Sequence, residues 1–372
     1  MMLSLSVLDL VPMRTDQTTA DAVAAAVSLV RRADDLGFAR YWVAEHHNMQ
    51  AVAATSPGVL IAHLAANSKR IRLGSGGVML PNHAPLAIAE QFALLEAMYP
   101  GRIDLGLGRA PGSDPVTAYT LRGPRAASDA NDHSHVDTFP HDVQTVAALL
   151  GSDNDAITDP FDLAGQPGVV IPMRGQDYAL RATPRASSSP AVWLLGSSHY
   201  SAQLAAQLGM AYVYAHHFGQ SGIENAMALY RREFTPSVTL AEPKTLVTIN
   251  AVVADTEEEA RALALPQLIM MARLRSGGRL GAQLTVEQAA AETISPMEQD
   301  LIDDQAARWV IGTPDVAAAK VTELATRYEV DEIMVSPVSS GHDGESRAVN
   351  ISKERTLELL SQALRPTAAA AA

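Results

Sequence analysis

The stretch Gly101-Arg102-Ile103-Asp104-Leu105-Gly106-Leu107-Gly108-Arg109-Ala110-Pro111-Gly112 carries the pattern from which the fold of this chain is predicted. Ile103, Leu105 and Leu107 alternate with smaller or polar residues, which predicts a short buried strand. Two glycines remove side chains near the end of that strand, so another group can approach the backbone closely. Arg109 follows where the strand stops, and its guanidinium suits an anionic group such as phosphate. The spacing alone is equally compatible with a tight strand exit that leaves Arg109 in solvent.

Outward from this strand, the chain repeats a unit of one strand followed by one helix. Strands are predicted over residues 3–10, 41–45, 71–80, 103–108, 192–195, 211–215, 246–254 and 332–336. Helices are predicted over residues 19–36, 56–67, 85–99, 142–150, 201–208 and 223–234, with two more that begin at 256 and 313. Strands that alternate with helices form parallel βαβ units, and this strand count predicts an α/β fold, the (β/α)8 TIM barrel. A doubly wound sheet is the alternative, but its usual G-x-G-x-x-G motif does not follow the first strand.

The pattern predicts a single domain over residues 1–366. It loosens in two excursions from the barrel, at about 110–190 and 271–309, and we assign both to a lid and to substrate recognition. The alanine-rich tail at 367–372 is expected to fray.

Composition excludes several classes of function. The chain has 372 residues, of which 47% are hydrophobic, and a formal net charge of −13. An acidic balance disfavours nucleic acid and anionic membranes as partners, since both require a basic face. The absence of cysteine excludes disulfides, thiolate nucleophiles and cysteine-ligated metals. The chain shows no basic leader and no apolar run of membrane-spanning length, so we expect a cytoplasmic protein.

The segment after the fifth predicted strand has the features of an anion pocket. Gly196, Ser197, Ser198 and Ser201 lie between that strand and the start of a helix. Backbone N–H groups, hydroxyls and the helix dipole together favour a phosphate at such a place. The alternative is a serine-rich N-cap without a ligand. Arg109 on the neighbouring strand favours the phosphate interpretation.

The second predicted strand ends in Glu45-His46-His47, a combination that suggests a metal site. Adjacent residues on a strand face opposite sides, so His46 and His47 cannot both point into the barrel while the strand continues. No H-E-x-x-H spacing is present either, so we predict no metal and interpret His46 as a polar acid or base at the barrel mouth. We predict a solvated loop for His47 and Asn48.

Two further groups of residues invite a functional interpretation. The glycines at 74, 76 and 77 interrupt the third predicted strand, which indicates a bulge or the close approach of a flat ligand. His133, His135 and His141 form a second metal-like cluster, but they lie in an excursion where such runs are usually solvated.

Several motifs together resemble the bacterial luciferase-like flavin monooxygenases. They are AEHH at 44–47, LGSGGVMLPNH at 73–83, GRIDLGLGR at 101–109, LGSS at 195–198 and VDEIMV at 330–335. The match extends through nearly the whole chain and is strongest to the alkanal-monooxygenase-like oxidoreductases, whose substrates are mostly undefined.

The resemblance implies roles for individual residues at the phosphate end of a bound FMN. Arg109, Ser198 and Ser201 match positions that hold the FMN phosphate. Ser197 lies where luciferase has an acidic residue, and Gly196 precedes it in the same turn.

The resemblance also implies roles at the ring of the flavin. His46 matches the active-site histidine that assists proton transfer, and with Glu45 it forms the predicted catalytic pair. Gly76 and Gly77 fall where luciferase has a non-prolyl cis peptide beneath the isoalloxazine. Gly108 replaces the reactive cysteine of luciferase, which argues against light emission and against the same aldehyde specificity.

The implied activity is a monooxygenase reaction. Reduced FMN from a separate flavin reductase would react with O2 to a flavin hydroperoxide, which oxygenates a small organic substrate such as an aldehyde. A deazaflavin (F420)-dependent dehydrogenase on the same fold, a non-catalytic flavin-binding homologue and a metal-dependent barrel hydrolase are the alternatives. Apolar faces on the early helices are compatible with a homodimer or with a buried core.

Overall fold

A computed structural model describes residues 3–110, 112–122, 138–151, 168–216, 222–278 and 281–365. Its strands are β1 (Ser4–Asp9), β2 (Arg40–Val43), β3 (Arg72–Met79), β4 (Ile103–Gly108), β5 (Val169–Met173), β6 (Gln176–Leu180), β7 (Ala191–Gly196), β8 (Ala211–Tyr214), β9 (Thr245–Val253), β10 (Val310–Gly312) and β11 (Glu332–Pro337).

Eight of these strands form a closed parallel barrel in the order β1-β2-β3-β4-β7-β8-β9-β11, and β11 pairs back to β1. Each of the eight coincides with a strand predicted from the sequence, so the predicted (β/α)8 TIM barrel is confirmed. The short β10 adds to the edge of β9, and β5 pairs with β6 as a separate antiparallel hairpin. The sequence pattern predicted neither β10 nor the hairpin.

Helices cover the outside of the barrel. They are α1 (Thr19–Leu36), α2 (Pro57–Ala66), α3 (Pro85–Met98), α4 (Pro115–Arg122), α5 (Phe139–Leu149), α6 (His199–Gln207), α7 (Ile223–Glu233), α8 (Glu257–Arg275), α9 (Val286–Ala290), α10 (Pro296–Arg308), α11 (Pro314–Arg327) and α12 (Ile351–Leu364). Within the described residues, no helix is both long and apolar enough to cross a membrane.

The ends of the first helix show how local sequence sets these bounds. Thr18 is its N-cap and forms a capping box with Asp21, so the helix begins one residue after Thr18. The sequence-based N-cap, Thr19, is therefore off by one residue, because only Thr18 has an acidic partner three residues later. Gly37 ends the helix with φ +81°, as predicted for a left-handed C-terminal residue.

The bottom of the barrel, at the N-terminal ends of its strands, is closed by buried ion pairs. Arg40 donates from Nη1 to Asp104 Oδ2 (2.7 Å) and from Nε to Glu332 Oε1 (2.8 Å). Arg72 Nη2 donates to Asp104 Oδ1 (2.6 Å), and Ser6 Oγ donates to Glu332 Oε1 (2.6 Å). Burial alone would lower the pKa of Arg40, but the two carboxylates raise it. Asp104 and Glu332 thus each have an arginine partner.

Above these ion pairs lies an inner cluster of apolar side chains. Trp42 and Trp193 meet edge to face with ring centroids 5.6 Å apart. The inner cluster consists of Leu8, Trp42, Trp193, Ala211, Val213, Leu246 and Met334. A larger apolar core fills the space between the outer faces of the strands and the helices. The inner cluster fills the barrel and leaves its C-terminal end open.

The two excursions differ in their relation to the barrel. The first carries α4, α5 and the β5–β6 hairpin, and Phe139 at the start of α5 is buried in the core. In the second, Gln283 is buried against the exit of β1, where its N–H donates to Met13 O (2.7 Å). Residues 123–137, 152–167 and 279–280 of the excursions and the tail at 366–372 lie outside the described residues.

Candidate active site

A cavity of about 340 Å³ opens at the C-terminal ends of the barrel strands. Leu8, Trp42, Val213 and Met334 of the inner cluster form its floor. Its volume lies within the range of small-molecule sites, about 300–1,000 Å³. The predicted site residues that line it are His46, Gly76, Gly77, Arg109, Gly196, Ser197, Ser198 and Ser201.

Arg109 leaves β4 at the rim of the cavity. Its Cζ lies 4.3 Å from the centroid of the Tyr200 ring, and Tyr200 stands two residues after Ser198. Because β4 pairs directly with β7, the exits of these two strands are neighbours. The structure therefore brings the arginine and the serine-lined turn to the same rim.

The serine-lined turn is the N-terminus of α6. Ser198 is the N-cap, and its Oγ accepts a hydrogen bond from Ser201 N (3.4 Å) while Ser201 Oγ accepts one from Ser198 N (3.4 Å). Ser201 lies inside the first turn, so the predicted helix start at 201 is two residues late. The first backbone N–H groups of any helix, here those of His199 and Tyr200, lack helical acceptors and favour an anion.

Two tyrosines of β8 brace this turn from below. Tyr212 OH lies 3.2 Å from Ser201 Oγ and donates to Gly196 O (3.3 Å), and Tyr214 OH donates to Ser197 O (3.2 Å). Burial raises the pKa of Tyr212, which keeps its hydroxyl protonated. A Cβ on Gly196 would collide with Ser201 Oγ, so this position requires glycine. The turn is fixed by packing as well as by its cap.

Glycines of β3 form another part of the lining. The Gly76–Gly77 peptide bond is cis, and the register against β4 shifts between Gly76 and Val78. The strand is therefore irregular at these glycines, and the close approach of a flat ligand stays a prediction. A Cβ on Gly76 would lie 2.7 Å from Leu8 Cδ1, and one on Gly77 would lie 2.8 Å from Gly106 O. Neither position has room for a side chain, which keeps this wall of the cavity flat.

His46 lines the cavity at the exit of β2. Its backbone N–H donates to Ala54 O (2.9 Å), and its buried Nδ1 has no hydrogen-bond partner among the described residues. Burial lowers the pKa of His46, although the nearby Glu45 carboxylate opposes this effect. A neutral imidazole that lines a cavity can exchange a proton with a bound ligand.

Glu45 does not line the cavity. Its buried Oε1 accepts hydrogen bonds from His47 Nε2 (2.8 Å) and His83 Nε2 (2.9 Å), and its Oε2 accepts one from Met79 N (3.0 Å). Burial alone would raise the pKa of Glu45. The hydrogen bond and charge of His83, together with hydrogen bonds from His47 and from the Met79 N–H, lower this pKa instead. The ionised carboxylate thus links the exits of β2 and β3, and it contacts the cavity only through neighbouring residues.

The structure corrects the prediction for His47. Its side chain is only 18% exposed and pairs with Glu45, so it does not lie in a solvated loop. Asn48 is exposed and donates to Thr117 Oγ1 (3.0 Å). No group of three or more metal-ligating side chains occurs among the described residues. His141 is exposed in α5, whereas His133 and His135 lie outside the part of the chain that the structure describes.

Sequence reasoning missed several lining residues. They include Tyr200, Met79, Phe139 and Thr248. Tyr200 lies between Ser198 and Ser201 of the predicted serine turn, and this position was a usable signal. Phe139 carried no signal of its own, although it lies in the first excursion, which the sequence assigned to a lid and to substrate recognition. No described residue of the second excursion at 271–309 lines the cavity, and its assignment to a lid and to substrate recognition stays a prediction.

Comparison with known proteins decides the family. The family model described as luciferase-like monooxygenase matches residues 3–329. The chain belongs to this family. A luciferase-like monooxygenase of Escherichia coli strain K12 is 37% identical over 360 residues, which cover 96% of this chain and 98% of that protein. The N-acetyl-S-alkylcysteine monooxygenase of Bacillus subtilis strain 168 is 30% identical over 365 residues, which cover 98% of each chain.

Several solved structures resemble the fold of this chain. Apo-MsnO8 has a TM-score of 0.79 and 31% identity, over 98% of this chain and 100% of that one. The oxygenating constituent of 3,6-diketocamphane monooxygenase from the CAM plasmid of Pseudomonas putida, solved with FMN, has a TM-score of 0.67 and 17% identity, over 99% of both chains. An F420-dependent secondary alcohol dehydrogenase has a TM-score of 0.63 and 14% identity, over 97% of this chain and 99% of that one. The predicted family and enzyme class, a luciferase-like oxidoreductase, are confirmed, and the last two likenesses concern the fold alone.

Proposed function

We propose that this luciferase-like protein binds reduced FMN in the cavity and uses it with O2 to oxygenate a small, uncharged organic substrate. One observation carries the proposal: Arg109 and the N-terminus of α6 meet at one rim of a cavity that His46 also lines. An arginine, serine hydroxyls and free helix N–H groups are the donors that a phosphate monoester prefers.

The other walls of the cavity fit the flat ring of a flavin. Gly76, Gly77 and Gly108 present backbone rather than side chains, and a Cβ on Gly108 would lie 3.1 Å from Met79 Sδ. The floor is apolar, which excludes water from the space in which the ring would lie. Reduced FMN, when bound, supplies the activation of O2 that no amino-acid side chain provides.

The charges of the lining indicate the class of substrate. Among the described residues that line the cavity, only Arg109 has a permanent charge, and the phosphate group would pair with it. His46 is neutral near pH 7, because burial lowers its pKa. A charged substrate would lose its hydration in the cavity without gaining an ion-pair partner, which costs free energy. We therefore assign an uncharged substrate.

Residues of this chain then have distinct roles. Arg109, Ser198 and the N-terminus of α6 hold the phosphate, and His46 exchanges a proton through its imidazole. Glu45 is a positioning residue in place of its predicted catalytic role, because it fixes the backbone on both sides of the cavity wall without reaching the ligand. A separate reductase supplies the reduced flavin.

Flavin titration combined with oxygen uptake tests this function. We expect the protein to bind FMN, Arg109→Ala to weaken FMN binding by at least tenfold, and the exposed Arg261→Ala on α8 to behave as the parent. With reduced FMN from an added reductase, O2 uptake should rise with uncharged substrates and not with carboxylates of similar size. Equal FMN binding in parent and Arg109→Ala would contradict the proposal.

The same titration includes F420, because an F420-dependent dehydrogenase shares the fold. Tighter binding of F420 than of FMN, with substrate-dependent hydride transfer and no O2 uptake, would replace the oxygenase with a dehydrogenase. Flavin binding without turnover of any substrate would favour a non-catalytic homologue.

A further inference from the structure

The contact between Arg109 and Tyr200 has a geometry that bears on how the cavity receives an anion. The guanidinium carbon lies 4.3 Å from the ring centroid, and the ring belongs to the second residue of α6. The side chain of Tyr200 therefore holds the arginine beside the helix N–H groups that its own backbone helps to provide. Tyr200 is 39% exposed and lines the cavity.

A contact with an aromatic ring does not use the N–H donors of the guanidinium as a carboxylate partner would. The N–H donors of arginine lie in the plane of the group, whereas a ring contacts its face. A carboxylate partner would occupy those donors, and no carboxylate of the described residues pairs with Arg109. By contrast, Arg40 and Arg72 at the barrel bottom have their donors occupied by Asp104. An aromatic partner can fix the position of a cation without competing for its ligand.

The hydroxyl of Tyr200 takes no part in this contact. No hydrogen bond joins it to any residue that the structure describes, so the flat ring is the relevant feature. This property separates Tyr200 from Tyr212 and Tyr214, whose hydroxyls brace the turn.

We propose that Tyr200 is a positioning residue that holds Arg109 ready for the phosphate of FMN and so selects phosphorylated over unphosphorylated flavin. This inference rests on the proposed function, since it concerns the same site. It adds a residue that neither the motif pattern nor the likeness to other proteins assigns. Tyr200 acts through Arg109 and the phosphate, so its removal should weaken FMN binding without weakening the contacts of the flavin ring.

Titrations of FMN and riboflavin, which differ in the phosphate, test the inference. An exposed cation–π contact corresponds to roughly a two- to fivefold change in dissociation constant. We expect Tyr200→Leu to raise the dissociation constant of FMN two- to fivefold and to leave that of riboflavin unchanged. Tyr200→Phe, which keeps the ring, should restore FMN binding. Tyr178→Leu, at an exposed tyrosine of β6, is the matched control.

A double-mutant cycle decides whether Tyr200 acts through the arginine. In the Arg109→Ala background, Tyr200→Leu should cause no further loss of FMN binding. A loss that persists there, or that affects riboflavin equally, would overturn the inference and make Tyr200 a packing residue of the ring. A parent protein that binds FMN no more tightly than riboflavin would instead refute the phosphate site, and the inference would fail with it. Thermal midpoints measured for every variant identify any that fails to fold, and Tyr200→Phe then carries the comparison.

Discussion

Replacing Glu45 by glutamine isolates the charge that ties β2 to β3. The carboxylate is fully buried and accepts from His47, His83 and the Met79 N–H, with Asn82 Nδ2 a further donor at 3.3 Å. A glutamine keeps one oxygen for the histidines but turns its NH2 group toward the Met79 N–H. One charge-assisted bond is lost and a buried N–H is left unpaired, which costs about 2–4 kcal/mol.

That cost converts into a measurable change in thermal stability. With an unfolding entropy of about 2.1 cal/mol/K per residue, a barrel of this size should lose about 3–5 °C in Tm. Differential scanning calorimetry at pH 7 measures it, with Glu258→Gln at an exposed position of α8 as the control. A Glu45→Gln protein that melts within about 1 °C of the parent would refute the argument.

The pH dependence follows from the direction of the pKa shift. The pKa of Glu45 is lower in the folded chain than its ordinary value of 4.5. The ionised carboxylate therefore stabilises the fold fully above pH 4.5, and this contribution is lost as the pH falls through the lower folded pKa. We expect the Tm difference between parent and Glu45→Gln to shrink as the pH falls below 4.5. A difference that stays undiminished well below pH 4.5 would contradict the assignment of an ionised carboxylate.

Three further predictions concern the cavity. In Gly196→Ala the new Cβ lies 2.5 Å from Ser201 Cβ, and the displaced turn should weaken FMN binding by about 1–3 kcal/mol, or about five- to 150-fold. Fluorescence titration should show riboflavin binding unchanged, and an equal loss for both ligands would exclude the turn as the phosphate site. Burial lowers the pKa of His46 below 6.5, so the reaction rate should begin to fall only below pH 6.5, where His46 takes up a proton. The residual activity of His46→Asn should show no such fall. A fall in the parent that begins above pH 6.5 would contradict this role. Raising the ionic strength from about 0.01 to 0.5 M should weaken FMN binding to the parent. Arg109→Ala removes one cation from the site but keeps the N-terminus of α6, so added salt should weaken its FMN binding less than that of the parent. An equal loss in both proteins would refute the role of Arg109.

The barrel could be predicted from the sequence because each strand is a local pattern. Alternating apolar residues such as Ile103, Leu105 and Leu107 mark a buried strand without reference to any other segment. The serine turn could be predicted for the same reason, since a glycine and several serines before an apolar helix are a local cap signal. The rim position of Arg109 followed from where its strand stops.

The contacts that complete the site could not be predicted in this way. Tyr200 meets Arg109 only because β4 pairs with β7 and leaves the β5–β6 hairpin outside the barrel. The local sequence around His47 predicts a loop residue. In the structure, the buried Glu45 holds His47 in place, and His83 contacts the same carboxylate from the exit of β3. Such partners depend on the order of strands around the barrel, which no single segment encodes.

The arginines of the barrel show how one fold separates structural charge from binding charge. Acidic residues outnumber basic ones by 41 to 28, so a carboxylate partner is the ordinary surrounding of an arginine here. Arg40 and Arg72 follow that rule at the N-terminal ends of the strands, where Asp104 pairs with both and Glu332 pairs with Arg40. Arg109 departs from it at the C-terminal ends, where a tyrosine ring holds the guanidinium and the free N–H groups of α6 face the same rim. Helix N-termini follow the carboxyl ends of parallel strands by the connectivity of the fold, so positive potential collects at the mouth while the bottom is neutralised. An anionic ligand is therefore attracted to the end of the barrel at which His46, Gly76 and Gly77 lie.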